Sequence, residues 1–412
     1  MTSMMNTHTT SSNQPQWLVF LVLWLLGLYL RLPILVIPPL ANWIQQDFTL
    51  SQTLLGSLTT LPILMLSVGA LVGALAIHRL GPRNTLIFAV LLVALASAGR
   101  ALAPDLALLL SATLLMGLGV AIMQPALPAV LSLWLTPQGL ALGTAVYMNG
   151  MLMGEFIGAG LTLPWLMPLL DHQWRATLLV WSLPGILVAG LALLPRLRQT
   201  ETAPAATTTQ QSAGLSPSWL PDWSDPLLWR IGFMLAVSAS LFFGTNAYMS
   251  SLLEARNEEH LLEAAFFWFN SAQMFASLFM LVMAKHWIAR NWPLRISLLT
   301  CLVGLLLFLI TEGALSLFFG FVLSFGAGVL LILLVALPAQ LRSSAEAGRL
   351  AAGAFTLSYG LSFVLPLLGG LVADFTQQAS MSLWFLLLLA TAVLPLAWTL
   401  PLSAADQSQT ER

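Results

Sequence analysis

The chain alternates between apolar runs of about 20 residues and short polar gaps in which the charged residues gather. A helix of roughly 20 apolar residues spans the ~30 Å hydrocarbon core of a bilayer. The runs lack the period-two alternation of strands, and lipid admits only helices or closed barrels, so each run predicts a membrane-spanning helix. The twelve predicted spans are 17–38, 52–77, 84–103, 107–134, 140–166, 174–194, 227–252, 264–286, 293–311, 314–338, 350–373 and 381–401.

The longest hydrophilic stretch lies between the sixth and seventh predicted spans and is rich in Thr, Ala, Ser and Pro. This composition is typical of a flexible linker rather than of a folded domain. The pattern therefore predicts an all-α integral membrane protein with two six-helix bundles. The predicted segments are a cytoplasmic tail (1–16), a first bundle (17–195), a cytoplasmic linker (196–226), a second bundle (227–401) and a cytoplasmic tail (402–412).

The composition excludes the main classes of soluble protein. The 412 residues are 58% hydrophobic and only 8% charged, whereas a soluble chain is about a quarter charged. So few charges cannot coat a soluble globule, which excludes a soluble enzyme, a nucleic-acid-binding protein and a disordered chain. The single cysteine, Cys301, lies inside an apolar run, which excludes an intrachain disulfide and a cysteine-based metal cluster.

The positions of Arg and Lys predict the orientation of the spans. No Lys or Arg precedes the first apolar run, so that run is interpreted as a spanning helix rather than a cleavable signal peptide. With both termini in the cytoplasm, the positive-inside rule is satisfied, and we predict a multi-pass protein of a bacterial inner membrane. The inside residues are Arg79, Arg83, Arg196, Arg198, Arg230, Lys285, Arg290, Arg295, Arg342, Arg349 and Arg412, and the outside residues are Arg100, Arg175 and Arg256.

The two halves repeat with an offset of about 210 residues. The segment Ala126–Leu131 (ALPAVL) of the fourth span matches Ala336–Leu341 (ALPAQL) of the tenth span. A repeat of six spans plus six spans is an architecture of transporters, with the substrate site at the interface of the repeats. Three glycines of the fifth span, Gly143, Gly150 and Gly160, fall on Gly353, Gly360 and Gly370 of the eleventh span.

These features together resemble the major facilitator superfamily. The loop signature of that superfamily runs roughly G-x-L-A-D-R-x-G-R-R, and the aligned stretch here, 74–83, reads ALAIHRLGPR. Arg79, Gly81 and Arg83 are retained, and His78 stands at the acidic position. The resemblance implies a secondary transporter and assigns the gating loop to Arg79, Gly81 and Arg83.

Within the superfamily the chain looks like the cyanate permease and nitroimidazole porter branch. The residues that carry this resemblance lie in and after the first span and in the seventh and eighth spans. They are Leu30–Pro33 (LRLP), Pro39–Leu40, Leu50–Ser51, Gly56–Pro62 (GSLTTLP), Asn246–Tyr248 (NAY) and Asn270–Gln273 (NSAQ).

Arg31 lies near the middle of the first predicted span. A charge at the centre of a bilayer costs about 2.5–3.5 kcal/mol on insertion scales, so Arg31 should face the bundle interior and have a partner. Its planar fork of donors suits a small anion or a carboxylate, which predicts substrate binding. The alternative is a structural pair with Glu155, or snorkelling of the side chain if Pro33 shortens the helix.

Glu155 is the only acidic residue deep in a predicted span. We interpret it as a proton-coupling residue that alternates between pairing with Arg31 and releasing it. The alternative is a permanent buried ion pair.

The uncharged polar residues of the central spans are weaker candidates for substrate contact, because a buried polar group in lipid often bonds another helix. Asn246, Tyr248, Asn270 and Gln273 also match the branch. The predicted substrate-binding set is Arg31, Gln124, Tyr147, Asn246, Tyr248, Asn270, Gln273 and Tyr359.

The chain shows no pattern for a metal, a nucleotide or covalent catalysis. We therefore predict a non-enzymatic secondary transporter without a cofactor. Its predicted partners are protons and a small organic or inorganic anion, such as cyanate or a carboxylate. It is expected to work as a monomer in the lipid bilayer, without nucleic-acid partners. The nearest alternative is a multidrug or nitro-aromatic exporter of the same fold, and a membrane-embedded enzyme, a sensor or a channel fits less well.

Overall fold

The computed structural model describes residues 16–136, 139–193, 221–288, 290–342 and 344–400. Within these ranges the chain is helical and contains no β-strand. The α-helices are α1 (Gln16–Leu35), α2 (Ala41–Phe48), α3 (Gln52–Leu80), α4 (Pro82–Ala101), α5 (Leu106–Trp134), α6 (Leu140–Glu155), α7 (Met167–Leu169), α8 (Trp174–Ala192), α9 (Pro226–Ala255), α10 (Leu262–Trp287), α11 (Asn291–Ile310), α12 (Gly313–Leu341), α13 (Ser344–Thr376) and α14 (Met381–Val393).

Shorter helical pieces extend several of these elements. Pro38–Leu40, Glu259–Leu261 and Leu394–Trp398 form 3₁₀ turns, and two π-helical turns, Phe156–Gly160 and Thr162–Leu166, connect α6 to α7. The wide π turns bend the fifth span by 54° between Gly160 and Thr162. The span that the sequence predicts over 140–166 is therefore present as two helical pieces with a bend between them.

The prediction of an all-α fold with twelve spans is confirmed. Among the described residues, 11 helices are long and apolar enough to cross a membrane, and the bent fifth span makes 12. We call α1–α8 the first half and α9–α14 the second half. Residues 1–15, 194–220 and 401–412 lie outside the described ranges, so most of the predicted linker and both predicted tails are not part of this description.

The arginines near the span ends bind the carbonyl ends of neighbouring helices. Arg83 donates to the carbonyl of Ala192 at 3.1 Å from Nη2, and Arg295 donates to Ala397 at 3.4 Å. Each of these bonds joins the third span of a half to the end of the sixth span of that half. Because the final carbonyls of a helix have no partner within the helix, such cations stabilise the helix ends.

At the other end of the spans, Arg175 and Arg256 have the same role. Arg175 donates to the carbonyls of Ala101 and Ala103 beyond α4, at 3.2 and 2.6 Å. Arg256 donates to carbonyls at the end of α11, including Thr311 at 3.1 Å. The arginines that the sequence assigns to topology therefore also hold the helices of each half together.

Two glycines of the predicted repeat lie at equivalent contacts between the halves. A Cβ on Gly160 would lie 3.3 Å from the Cα of Phe267 in α10, and a Cβ on Gly370 would lie 2.9 Å from the Cα of Thr53 in α3. The fifth span thus meets the eighth, and the eleventh meets the second, by close approach of backbones. A Cβ on Gly370 would force a shift of the facing backbone, and a Cβ on Gly160 would require its neighbours to yield by a few tenths of an ångström, so small residues suit both positions.

The close approach of α13 to α3 at Gly370 is not repeated beside Gly348. Gly348 lies 22 positions before Gly370, which at 3.6 residues per turn places both on nearly the same face of α13. A Cβ on Gly348 would meet nothing within 4 Å. We call the end near Gly370 the closed end, because there Ser250 also donates across the halves to the carbonyl of Pro38 at 3.2 Å.

Candidate functional site

Helices α1 and α6 of the first half pack with their backbones in contact. Gly150, Gly154 and Gly158 form a stripe at four-residue spacing along the fifth span. A Cβ on any of them would run into a backbone carbonyl of the first span, at Trp24, Leu28 and Leu32 respectively. Small residues at this spacing allow the close approach of membrane helices. The stripe brings Glu155, beside Gly154, next to Arg31 of α1.

Arg31 and Glu155 form a buried ion pair. The Nε atom of Arg31 lies 3.5 Å from Oε1 of Glu155, and each residue is 7% exposed. Two predicted site residues from different spans are thus neighbours. A buried charge in lipid needs such a partner, so the pairing explains how both residues are accommodated in the membrane.

The pair leaves part of the guanidinium unused. An arginine–carboxylate fork normally has two parallel hydrogen bonds of about 2.7–2.9 Å. Here the 3.5 Å contact involves only the Nε edge of Arg31, and the buried Nη1 has no hydrogen-bond partner among the described residues. A buried donor without an acceptor costs free energy, so this edge of Arg31 is suited to bind an anion.

One ring of the second half lies near Arg31, and a second ring contact joins the halves beside Glu155 in the chain. The guanidinium carbon of Arg31 lies 5.8 Å from the ring centre of Phe243 in α9. Phe156, next to Glu155 in the first π turn, meets Phe267 of α10 edge to face at 5.3 Å. Rings next to a cation exclude water and add a cation–π attraction. The site therefore lies at the interface of the halves, although the ion pair belongs to the first half alone.

The second half contributes a pair of buried amides. Nδ2 of Asn270 donates to Oδ1 of Asn246 at 3.0 Å and to the carbonyl of Phe266 at 2.9 Å. Asn246 stands one turn after Phe243 on α9, toward the closed end. The Oδ1 atom of Asn270 is buried without a partner among the described residues, so this amide pair keeps one free acceptor.

Tyr248 and Gln273 are placed differently from these amides. The hydroxyl of Tyr248 donates to the carbonyl of Pro366 at 2.7 Å and lies against Gly370 at the closed end. The amide of Gln273 donates to the carbonyl of Ser324 at 2.8 Å and joins α10 to α12. Both side chains therefore bond neighbouring helices of the second half in this structure.

The remaining polar candidates lie in α5, α6 and α13. Gln124 of α5 donates across the halves to the hydroxyl of Tyr359 in α13 at 3.3 Å, and both side chains are half-buried. Oε1 of Gln124 is buried without a partner in the described part of the chain. Tyr147 of α6 is also half-buried, and its backbone carbonyl faces Gly27 of α1.

The predicted gating loop forms the turn between α3 and α4. Gly81 has a φ of 77°, which favours glycine, and it ends α3 and precedes α4. Arg79 and His78 are exposed, whereas Arg83 is bound to the carbonyl of Ala192. Arg79, Gly81 and Arg83 therefore share one turn, but only Arg83 is seen bonded to another helix, and Arg79 is exposed.

Arg100 is a buried cation that the sequence pattern assigns to an outside segment. It lies in the last turn of α4, is 1% exposed and donates to the carbonyl of Pro33 at 2.8 Å. Pro33 follows Arg31 by two residues, so Arg100 holds the end of the helix that carries Arg31. The four-residue spacing of Gly150, Gly154 and Gly158 is visible in the sequence, but the sequence does not show which helix packs against it.

The described residues contain no group of three or more His, Cys, Asp or Glu side chains arranged to hold a metal ion. The candidate site therefore consists of one cation, one carboxylate, several amides and hydroxyls, and aromatic rings. Such a set can recognise an anionic solute and exchange a proton, but within the described ranges it offers no nucleophile paired with a base.

Comparison with known families finds one family over most of the chain. Residues 19–365 match the sequence profile of the Major Facilitator Superfamily. The cyanate transport protein CynX of Escherichia coli is 30% identical over 202 residues, which cover 48% of this chain and 51% of that protein.

Two further bacterial relatives transport different compounds. The gallate transporter of Pseudomonas putida is 28% identical over 203 residues, covering 49% of this chain and 44% of that protein. The 2-nitroimidazole transporter of E. coli is 26% identical over 216 residues, covering 52% of each chain. The chain thus spans about half the length of these curated relatives, and the matches agree with the branch that the sequence resembles.

Solved structures share the fold across nearly the whole chain. A bacterial homologue of the human lysosomal transporter Spinster, in an inward-facing and occupied conformation, superposes with a TM-score of 0.74 at 14% identity, covering 93% of this chain and 96% of that chain. The inward-open xylose transporter XylE of E. coli gives a TM-score of 0.71 at 14% identity, covering 92% and 95%. At this identity the likeness shows the fold alone.

Proposed function

Because the chain belongs to the Major Facilitator Superfamily, we propose that it moves a small organic or inorganic anion across the membrane by alternating access. Members of this family are multi-pass membrane transporters, not enzymes. The proposed substrate is a cyanate-like ion or a carboxylate, and the proposed location is a bacterial inner membrane. The protein is proposed to act as a monomer, with both termini in the cytoplasm.

The observation that carries the proposal is the unsatisfied edge of Arg31. Its Nη1 is buried without an acceptor among the described residues, while Glu155 occupies only the Nε edge. An anion at this edge would complete the pair of parallel hydrogen bonds that a guanidinium favours. The anion would then face the guanidinium beside the ring of Phe243.

Glu155 is proposed as the proton-coupling residue. An anion bound to Arg31 competes with Glu155 for the same cation. A carboxylate that loses its cation in an apolar site is stable only if it takes up a proton. Binding of the anion would thereby bind a proton as well, which couples transport to the proton gradient.

The amides and hydroxyls of the other spans are proposed to orient the substrate. Asn270, which is bonded to Asn246 one turn from Phe243, offers a free acceptor, and Gln124 and Tyr359 offer a bond that spans the two halves. These groups recognise shape and hydrogen bonding rather than charge. Tyr147, Tyr248 and Gln273 stay in the proposed binding set, although the last two must release helix contacts to reach the substrate.

The first test is a thermal-shift screen of the purified protein with cyanate, small carboxylates and nitroimidazoles. A ligand at a hundred times its Kd should stabilise the folded state by about 2.7 kcal/mol. Arg31→Lys keeps the charge beside Glu155 but loses the planar fork, so the shift should fall sharply. Arg295→Lys, which alters an arginine at a helix end, is the matched control and should keep the shift. Equal stabilisation of the wild type and Arg31→Lys by anions would contradict the proposal.

The coupling proposal has a separate test. Uptake of cyanate or a small carboxylate into proteoliposomes should depend on an imposed pH gradient in the wild type. Glu155→Gln should remove this dependence because the amide cannot bind the proton. Unchanged gradient dependence in Glu155→Gln would count against the role of Glu155 and leave the role of Arg31 intact.

A second candidate is an exporter of nitro-aromatic compounds, favoured by the aromatic rings of Phe156, Phe243 and Phe267 around the ion pair. In that case Arg31 and Glu155 neutralise each other permanently, and apolar stacking selects the substrate. Nitroimidazoles would then shift the melting temperature of the wild type and of Arg31→Lys equally, while cyanate and carboxylates would have no effect.

A further inference from the structure

Asp374, near the end of α13, connects the two halves through one carboxylate. Its Oδ1 accepts from the backbone N–H of Gln52 at 2.7 Å, and its Oδ2 accepts from the backbone N–H of Thr53 at 2.9 Å. The hydroxyl of Thr53 also donates to Oδ2. Gln52 and Thr53 are the first two residues of α3, so a carboxylate of the second half binds the N-terminus of a helix in the first half.

The first N–H groups of a helix lack partners within the helix, and together they carry partial positive charge. The residue before α3, Ser51, satisfies one of them by accepting from Leu54 N at 3.3 Å. Asp374 satisfies the two amides that Ser51 leaves. The N-terminus of α3 is therefore capped partly from its own half and partly from the other half.

This contact depends on the close approach at Gly370, one turn before Asp374. A Cβ at Gly370 would lie 2.9 Å from the Cα of Thr53 and 3.0 Å from the carbonyl oxygen of Gln52. On nearly the same face of α13, Gly348 has open space beside it. Separation of α13 from α3 at the closed end must therefore break all three hydrogen bonds to Asp374 and return two helix amides to water.

We propose that Asp374 is a gating residue for transport, which holds the closed end shut until the two halves move apart. The helix cap is complete only when the halves are in contact, so the carboxylate favours the state closed at this end over the state open at this end. The balance between these states determines how often the closed end opens, because a transporter must populate both.

A reporter for this balance is available at the same end. Ser251 of α9 lines a groove of about 580 Å³ together with Gln52 and Asp374. Ser251 is 4% exposed, and its hydroxyl has no hydrogen-bond partner within the described ranges. Ser251→Cys therefore removes no hydrogen bond seen there, and Cys301 is fully buried. A thiol at position 251 should react with a hydrophilic maleimide faster when the closed end opens.

The experiment measures the labelling rate of Ser251→Cys in purified full-length protein in detergent, in combination with Asp374→Ala, Asp374→Asn or Asp105→Ala. Asp105 is the matched control, because it caps α5 by accepting from Leu108 N at 2.8 Å within the first half. Loss of an N-cap corresponds to about a tenfold change in an equilibrium. Asp374→Ala should raise the labelling rate about tenfold, Asp374→Asn should raise it less, and Asp105→Ala should leave it unchanged.

Folding is checked by the melting temperature and by gel filtration of each variant. The proposal is overturned if folded Asp374→Ala and Asp374→Asn are both labelled at the wild-type rate, or if Asp105→Ala is labelled as fast as Asp374→Ala. The assay requires no substrate and no assigned orientation, so its failure would not bear on the anion site at Arg31. If Asp374→Ala does not fold, the comparison of Asp374→Asn with Asp105→Asn decides the question in the same way.

Discussion

The two halves share a scaffold but differ in their buried chemistry. Gly160 and Gly370, related by the repeat, both let a helix approach the opposite half at backbone distance. The first half, however, buries an ion pair, Arg31 with Glu155, whereas the second half buries a neutral amide pair, Asn246 with Asn270. The repeat therefore places close contacts between the halves at equivalent positions, while the buried polar groups of each half differ.

This difference has a physical consequence for transport. Charged groups in a membrane are costly to separate, whereas amides can exchange partners at little cost. We infer that the first half determines which charge is carried and the second half adjusts to the shape of the substrate. Variants in each half test this difference.

The largest expected effect comes from breaking the ion pair of the first half. Arg31→Ala leaves Glu155 buried without its cation, which should lower the free energy of unfolding by about 3–5 kcal/mol. The double variant with Arg31→Leu and Glu155→Leu should recover most of this loss, because no charge remains buried. Denaturant titrations in detergent measure both values, and equal losses in the single and double variants would show that the two charges do not interact.

An intermediate effect is expected at the two glycine contacts between the halves. Gly160→Ala and Gly370→Ala each insert a methyl group between facing backbones and should destabilise the protein by about 1–3 kcal/mol. Gly348→Ala is the control, since its Cβ meets nothing within 4 Å; it should be neutral, or stabilising by up to about 1 kcal/mol through helix propensity. Thermal unfolding distinguishes them, and a loss in Gly348→Ala equal to that in Gly370→Ala would contradict the one-sided contact of α13.

The smallest effect is expected for the amide pair of the second half. A double-mutant cycle with Asn246→Ala and Asn270→Ala should give a coupling energy of about 0.6 kcal/mol, the average for side-chain hydrogen bonds between membrane helices. Unfolding free energies of the four proteins supply the cycle. A coupling as large as that of the ion pair would remove the contrast between the halves.

The sequence predicted the twelve spans because the bilayer imposes one length and one polarity on every crossing helix. Predicted boundaries mostly agree with the structure within a few residues. The larger shifts are at the first span, which continues to Phe48 rather than 38, at α13, which begins at Ser344 rather than 350, and at α14, which ends at Val393 rather than 401. The sequence predicted the fifth span but not its bend of 54°. Its π turns follow Glu155, and hydropathy does not reveal how many residues a turn contains.

The candidate site was predictable only where the sequence contained a charge in an apolar run. Arg31 and Glu155 were found in this way, and their proximity was foreseen as an alternative. The burial of Arg100 was not, because an arginine at the end of a span usually reaches water. The partners of Tyr248 and Gln273 were also beyond prediction, since an amide or a hydroxyl gives no sign of whether it will bond a helix or a ligand.

Hydropathy along the chain determined the solvent in which this protein folds, the number of its spans and which two charges lie deep within them. Tertiary structure alone decided that Gly150, Gly154 and Gly158 place Glu155 against Arg31, and that Asp374 closes one end by capping a helix of the other half. The difference comes from the distance along the chain over which each interaction acts. Hydropathy acts on each residue where it stands, whereas an ion pair or a helix cap requires two distant segments to meet, and only packing brings them together.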